Sequence, residues 1–323
     1  MPTTLAAKPP VTDNMLFVDG ISRSGKKLTC KIVSHLEGVD YFQYISLIEN
    51  MSYLWHLGNI DLETAARLLK FNIDEFTYNR AIGRNLNTRR SDETSVYKAY
   101  DADAILARAD APDGAGAMAA YNDAGRKTLY HTHSVLAFVD VVFEAFPGMK
   151  FIHIDRHPID IAEDWFRRGW GDRWAVDPLA FSVIADSEFG PVPWYSVGWA
   201  REYSEMTPAE RCVAGIVHLQ TGDRRRLDTL DADRRRQVHQ FAFEHLIEDT
   251  HSVIGRLASF VGTEPHGKMA ALLKAENCPS PIPADMRRNN LEKLKADSAP
   301  TVIDSLLEAS DAYEKKWGLD PVA

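Results

Sequence analysis

Short apolar runs alternate with segments of helical spacing along this chain. Met15-Leu-Phe-Val18 is apolar and ends in Asp19-Gly20, after which Leu28, Ile32, Val33 and Leu36 recur on one helix face. Strand, glycine turn and helix are expected there in succession. From Tyr41 to Asn87 the spacing is largely helical, with Leu62, Ala65, Ala66 and Leu69 on one side, while Asp101 to Asp123 is rich in Ala, Asp and Gly and reads as a loop. Lys127 to His133 predicts a second strand, and Val135, Phe138, Val139, Val142 and Phe143 a helix running up to Pro147. Lys150 to Asp155 predicts a third strand. Pro158 then stands at a first helical position, where its missing N–H is no loss, and Ile161, Trp165 and Arg168 continue the helix. Further on, Gln237 to Phe243 reads as a strand, Thr250 to Val261 as a helix closed by Gly262, and Thr301 to Trp317 as a final helix.

This alternation predicts an α/β fold: a P-loop-type, mostly parallel sheet with helices on both faces. The expected organisation is a flexible tail over 1–14 and a single domain over 15–323, with a helical insertion at about 41–126. Hydrophobic residues at 45% and charged residues at 26% of 323 are ordinary for a globular chain and exclude a disordered or fibrous class. A net charge of −9, from 37 Lys+Arg against 46 Asp+Glu, argues against a nucleic-acid partner. The clusters Arg224-Arg225-Arg226 and Arg234-Arg235-Arg236 are interleaved with Asp223, Asp228, Asp231 and Asp233, and read as solvated helical surface. Cys30, Cys212 and Cys278 are widely spaced, which suggests neither a disulfide framework nor a thiolate metal site and fits a reducing compartment. No run approaches the roughly 18 apolar residues of a membrane span, so a cytoplasmic location is expected. Oligomeric state is not legible in the sequence.

The chemistry begins at Gly20. Gly20, Gly25 and Lys26 satisfy G-x-x-x-x-G-K between a strand and a helix, where backbone N–H groups and a helix N-terminus can close around a phosphate. Lys27 stands where a Mg²⁺-binding Ser or Thr would complete that motif. An ordinary glycine turn flanked by surface lysines is the plainer reading of the same residues.

The segment also resembles the phosphosulfate loop of the sulfotransferase family, roughly G-x-x-(R/K)-S-G-T-T-(L/W), at Gly20, Arg23, Ser24, Gly25 and Leu28, with Lys26 and Lys27 replacing the two threonines. The family's second signature, R-x-P-x-D-x-x-x-S after a phrase like F-P-x-x-K-F-I, is matched by Phe146-Pro147, Lys150-Phe-Ile152, Arg156, Pro158 and Asp160, with Asp164 in the serine position. The resemblance implies the donor PAPS as co-substrate. Its 5′-phosphosulfate would lie on Gly20, Ser22, Arg23, Ser24, Gly25, Lys26, Lys27 and Leu28, and its 3′-phosphate on Arg156. Arg167 and Arg168, three and four residues beyond Asp164, are placed to neutralise it and take up that phosphate.

Alternatively Asp164 accepts from a free ribose hydroxyl and the donor is an ordinary nucleotide. Asp155, ending an apolar strand, could then reach Mg²⁺ in a kinase using ATP with Mg, or it could simply cap the next turn. No metal is expected under the first reading.

His131-Thr132-His133 is similar to the family's K-T-H phrase, which implies His133 as the base that takes the acceptor proton, with His131 in the lysine position. Strand alternation puts both rings on one face. A metal pair with His153 or His157, or histidines satisfied inside the core, are competing readings. Glu49 is the reserve base. Arg23 and Lys26 would stabilise charge on the leaving phosphate. Phe243-Glu-His-Leu246, Phe260 and Gly262 resemble later parts of the family, and Arg287, Arg288 and Lys293 resemble a basic C-terminal segment that closes over the nucleotide. Trp165, Trp170, Trp174, Trp194 and Trp199 form an aromatic stretch that either stacks on a sugar or flat ring or packs in the core, and a carbohydrate or small-metabolite acceptor is the expectation. A relative that binds nucleotide without catalysis is the remaining alternative.

Overall fold

A computed structural model describes residues 5, 6, 8–174, 176–283 and 285–322. Strand β1 (Met15–Asp19) runs through a glycine turn into α1 (Lys26–Val33). Then come β2 (Gln43–Tyr44), α2 (Ser46–His56), α3 (Leu62–Ala81), α4 (Ala102–Ala107) and α5 (Ala115–Asp123), followed by β3 (Thr128–His131), α6 (Asp140–Ala145), β4 (Lys150–Asp155) and α7 (Pro158–Arg167). A second excursion holds α8 (Trp170–Arg173), the antiparallel pair β5 (Ile184–Ala185) and β6 (Val192–Pro193), and α9 (Ala200–Glu205). The chain closes with α10 (Pro208–Thr229), α11 (Ala232–Arg236), β7 (Val238–Ala242), α12 (Phe243–Glu248), α13 (Thr250–Val261), α14 (Met269–Ala275), α15 (Met286–Ala296) and α16 (Pro300–Trp317).

The main sheet has the order β2-β3-β1-β4-β7 with every pairing parallel. A parallel sheet needs both faces covered, and the strands supply both: Leu16, Val18, Leu129, Ile152 and Ile154 pack on one side with α1 and α13, while Met15, Phe17, Tyr130 and Phe151 pack on the other with α3 and α6. A third cluster gathers α7, α10, α15 and α16. The sheet thus matches the expected α/β class. In the main sheet β1 leads on to β2 at one edge and its neighbour β4 to β7 at the other, so the chain leaves the carboxyl ends of β1 and β4 in opposite directions, and the crevice at such a point is where ligands bind in such sheets.

Several local expectations are corrected. Asp101 to Asp123 is not a loop but contains α4 and α5; Tyr121 on α5 donates to Asp40 at 3.1 Å and bonds Thr128 at 2.8 Å, a tertiary anchor that outweighs the low helical preference of Asp and Gly. The stretch after Tyr41 begins with the edge strand β2 rather than helix. In the segment 1–14, whose first residues lie outside the described ones, Lys70 and Asn122 donate to the Pro9 and Val11 carbonyls, each at 2.9 Å, and Val11 N donates to Asp74 at 3.2 Å. Asp223, expected on a solvated face, is buried, because it shares the inward side of α10 with Leu219 and Leu227. That helix opens on a capping box, Glu210 N donating to Thr207 Oγ1 and Thr207 N to the Glu210 carboxylate, worth about 1 kcal/mol.

Asp40, just past α1, is wholly buried and joins the inserted helices to the sheet. Arg80 Nε at 3.1 Å, Arg108 through two nitrogens at 2.9 Å each, and Arg126 all donate to it. Among the described residues no helix is long and apolar enough to cross a membrane.

Candidate active site

Residues 20–25 turn tightly between β1 and α1. Gly20 and Gly25 have φ of +153° and +99°, and a Cβ on either would collide with its neighbours, at Gly25 with the Phe243 ring and at Gly20 with the Ile154 carbonyl. Only glycine fits at either position. Arg23 also has a positive φ, +78°, held by the Ser24 N–H on Ile21 O and by Arg156 Nη1 donating to Arg23 O at 2.8 Å. Strain of this kind, costing on the order of 1–3 kcal/mol, concentrates at ligand sites. Gly25 precedes the first turn of α1 without a side-chain cap, leaving that helix end for a ligand.

Lys26 is buried and folds back over the turn, donating to Gly20 O at 2.6 Å and Ile21 O at 2.8 Å. Burial pulls its pKa down to about 8, against the opposing pull of Asp19 and Glu49. Around it lies a cavity of about 430 Å³ lined by Ser22, Arg23, Gly25, Lys26, Lys27, Leu28, His131, His133, Arg156, Trp170 and Phe243. Arg156 also stacks over the Phe243 ring at 4.7 Å. Among the described residues, Ser24 Oγ, Arg156 Nε and His131 Nδ1 belong to the buried polar atoms without a hydrogen-bond partner.

A second cavity, about 280 Å³, adjoins the first and shares Ser22, His133 and Trp170 with it. Its walls include Tyr44, Tyr53, Trp165, Trp174, Trp194 and Tyr195, with Tyr53 and Trp194 stacked at 3.9 Å. Of the five tryptophans in the aromatic stretch, Trp199 stands apart, against Tyr203 and His218. His133 therefore sits between a cationic cavity and an aromatic one.

His133 and Glu49 come together. His133 Nδ1 lies 2.6 Å from Glu49 Oε1, and Tyr44 OH donates to Glu49 Oε2 at 3.2 Å. Burial raises the Glu49 pKa to about 8 although Lys26 pulls it down, whereas burial, then Lys26, pushes His133 well below its ordinary value. Tyr53 OH donates to His133 O, and the His131 ring lies 4.6 Å from that of His133. Behind them Asp19, which the motifs did not single out, fixes the loop: it accepts from Thr132 Oγ1 at 2.8 Å and from the Val135 and Leu136 N–H groups. Its place at the end of an apolar strand, directly before Gly20, was the available signal.

Other candidates lie elsewhere. Asp164 binds Arg23, Arg167 and Arg168, the last at 3.2 Å, and burial, which raises its pKa, is outweighed by Arg23 first among the three. Asp155 does not face the loop. It accepts from Gln240 at 2.7 Å and Lys316 at 3.0 Å, contacts His153 Nε2 at 3.0 Å, and lines a separate small cavity with Asp223 and Gln220. His153 bridges Asp19 and Asp155; burial alone would lower its pKa, and the two carboxylates raise it to about 10. His157 pairs with Glu314 at 3.0 Å, so neither histidine joins His131 and His133. Among the described residues no group of three or more His, Cys, Asp or Glu is arranged to hold a metal ion.

Arg287 is drawn to Asp160 at 3.1 Å and Glu244 at 2.9 Å, and with Arg288 it lines a third cavity, formed with the C-terminal segment, rather than the one at the phosphate loop. Two buried carboxylates hold Arg287 there, because leaving them unpaired would be costly.

No family model and no curated protein matches the sequence. Among solved structures, the chain is similar to the sulfotransferase domain from the curacin biosynthetic pathway, at 13% identity and a TM-score of 0.48, over 97% of this chain and 100% of that one. It is also similar to the sulfotransferase domain of the Synechococcus PCC 7002 olefin synthase, at 14% identity and a TM-score of 0.47, over 96% and 97%. A sulfotransferase from Alicyclobacillus acidocaldarius matches at 15% identity and a TM-score of 0.42, over 97% and 98%.

Proposed function

We propose that this chain is a transferase that moves a sulfuryl group from PAPS to an acceptor hydroxyl, with the Glu49–His133 pair as the base. The observation that carries the reading is the position of His133, shared by the phosphate-loop cavity and the aromatic cavity and held through Nδ1 by Glu49. With Nδ1 turned to the carboxylate, Nε2 is the nitrogen left to accept a proton.

His133 Nε2 takes the acceptor proton as the acceptor oxygen bonds to sulfur and the sulfur–oxygen bond to the 5′-phosphate breaks. Lys26, Arg23 and the first N–H groups of α1 receive the charge left on that phosphate. The residues present suit a nucleotide bearing two separate phosphates. Arg23, Lys26, Lys27 and Arg156 line the cavity at the loop, and the Arg23, Arg167 and Arg168 guanidiniums lie together around Asp164. A Mg²⁺-nucleotide kinase is less well supported, since Asp155 is committed to His153, Gln240 and Lys316 and lines another cavity.

Calorimetric titration tests this directly. Adenosine 3′,5′-bisphosphate is expected to bind without metal, and His133→Ala to bind it equally while losing about 10²–10⁴-fold in sulfuryl transfer. Lys26→Ala is expected to weaken binding by about 10–100-fold. Tighter, Mg²⁺-dependent binding of ADP would instead make the chain a phosphotransferase.

A further inference from the structure

Behind the phosphate loop, the sheet and α10 bring three carboxylates to one histidine. His153 is buried, with Nδ1 3.2 Å from Asp19 Oδ2 and Nε2 3.0 Å from Asp155 Oδ1 and 3.7 Å from Asp223 Oδ2. Asp19 and His153 are register partners across β1 and β4, so the strand pairing itself sets the first contact. A neutral imidazole has one N–H, whereas the imidazolium donates from both nitrogens, so carboxylates at both ends select the cation. Lys316 of α16 meets the outer acid, Asp155, at 3.0 Å.

The two inner acids also hold one turn. Asp19 accepts from Thr132 Oγ1 at 2.8 Å and from the Val135 and Leu136 N–H groups at 3.1 Å each, and Asp223 accepts from Ala137 N at 3.1 Å. Ser134 N donates to Gly20 O at 3.1 Å, and Ser134 has a φ of +52°, uncommon for a residue with a side chain. These bonds span 132–137, the turn that leaves β3 and carries His133. Without a cation between them the three buried acids would repel one another, and the turn would lose the acceptors that shape it. His153 lines neither of the two cavities that His133 joins, so any effect on the reaction passes through the turn.

We infer that His153 is a positioning residue for the base: it clamps Asp19 and Asp223 onto the 132–137 turn, and through that turn it holds the His133 ring against Glu49. This rests on the role of His133 proposed above.

His153→Gln, which keeps a polar end but removes the charge, tests it. With isotope-labelled histidine and NMR of the ring nitrogens, above the pH of about 8 at which Glu49 ionises, native His133 should show a protonated Nδ1 and a bare Nε2. The variant should average the two nitrogens, a reading that needs no turnover. Transfer from PAPS with water as the acceptor should fall about 100-fold, the cost of a base displaced by about 1 Å, while adenosine 3′,5′-bisphosphate binds within about threefold of native. In the His133→Ala background, His153→Gln should lower the residual rate no further, because a residue acting through His133 has nothing left to position. Should His153→Gln not fold, Thr132→Val deletes only the hydroxyl contact with Asp19 and should change the ring pattern in the same direction. An unchanged His133 ring pattern overturns the inference, as does a loss of bisphosphate affinity as large as the loss of rate, or additive losses in the double variant. An altered ring pattern in a protein whose transfer survives His133→Ala leaves the positioning standing and overturns the base assignment instead.

Discussion

Two carboxylates in this chain each gather three arginines, yet they serve different ends. Asp40 is wholly buried and its partners Arg80, Arg108 and Arg126 are largely removed from solvent, whereas the partners of Asp164, namely Arg23, Arg167 and Arg168, are each more than a third exposed. Around Asp40 further donors are directed inside the protein: Arg80 reaches Tyr41 O and Arg126 reaches Asp101 at 2.9 Å, while Arg80 Nη1 is buried without a partner among the described residues. Around Asp164 the guanidiniums keep donors toward solvent, and Arg23 faces the phosphate-loop cavity. The same charge set is a cross-link where it is sealed and, under the proposed function, a reserve of anion-binding groups where it is open. Glu49 completes the contrast as a buried carboxylate with no arginine partner, and its pKa moves up instead of down.

The largest effect is expected at Asp40. Asp40→Ala leaves three guanidiniums without their carboxylate and should cost about 3–5 kcal/mol, read as a lower denaturation midpoint. Burial raises the Asp40 pKa, but Arg108, Arg80 and Arg126 reverse this and hold it well below the usual range. A depressed carboxyl stabilises above its unfolded value near 3.9 and loses that contribution as pH falls toward the folded value. The gap between native chain and variant should therefore narrow below about pH 4. An unchanged midpoint near neutral pH would remove Asp40 as the cross-link.

Next in size is the pH profile of transfer. The Glu49–His133 pair must lose a proton to act as base, and Glu49 lies near 8, so the rate should climb with pH through that value. Lys26, also lowered to about 8, loses its charge over the same range and its hold on phosphate with it. A bell-shaped kcat/KM with both limbs near pH 8 is expected. Glu49→Gln should lower turnover by about 100-fold and carry the acid limb below 6.5, because His133 alone sits well under its ordinary value. A profile unmoved by Glu49→Gln would dissociate the pair.

Much of this could be read from the chain, for identifiable reasons. β1, α1, β4 and α7 are visible because apolar runs of strand length meet a glycine turn or a helix-starting proline. Strand β2 is invisible, since Gln43 and Tyr44 carry no strand pattern of their own and are placed by the edge of β3. Gly20, Lys26, His133 and Glu49 could each be proposed separately. Their assembly could not, because His133 and Glu49 stand 84 residues apart and only the fold joins them. The engagement of Arg287 by Asp160 and Glu244 was not legible, because a basic side chain in sequence does not declare which acids in the fold will meet it. The burial of Asp223 follows from helical phase, since it lies four residues from both Leu219 and Leu227, on the buried side, while its charged neighbours in sequence point the other way.

The smallest effect probes the open cluster and decides whether the contrast with Asp40 is real. Asp164→Ser releases Arg23, Arg167 and Arg168, and one freed charge-assisted bond of roughly 1.5 kcal/mol should tighten adenosine 3′,5′-bisphosphate about tenfold. ADP, lacking the second phosphate, should change little. Stability should move by no more than about 1 kcal/mol, since ion pairs this exposed are weak. Equal weakening of both ligands would mean that Asp164 accepts a hydrogen bond from the ribose. Loss of bisphosphate affinity alone would mean that Asp164 aligns the arginines as Asp40 does, and the two clusters would then differ in burial without differing in use.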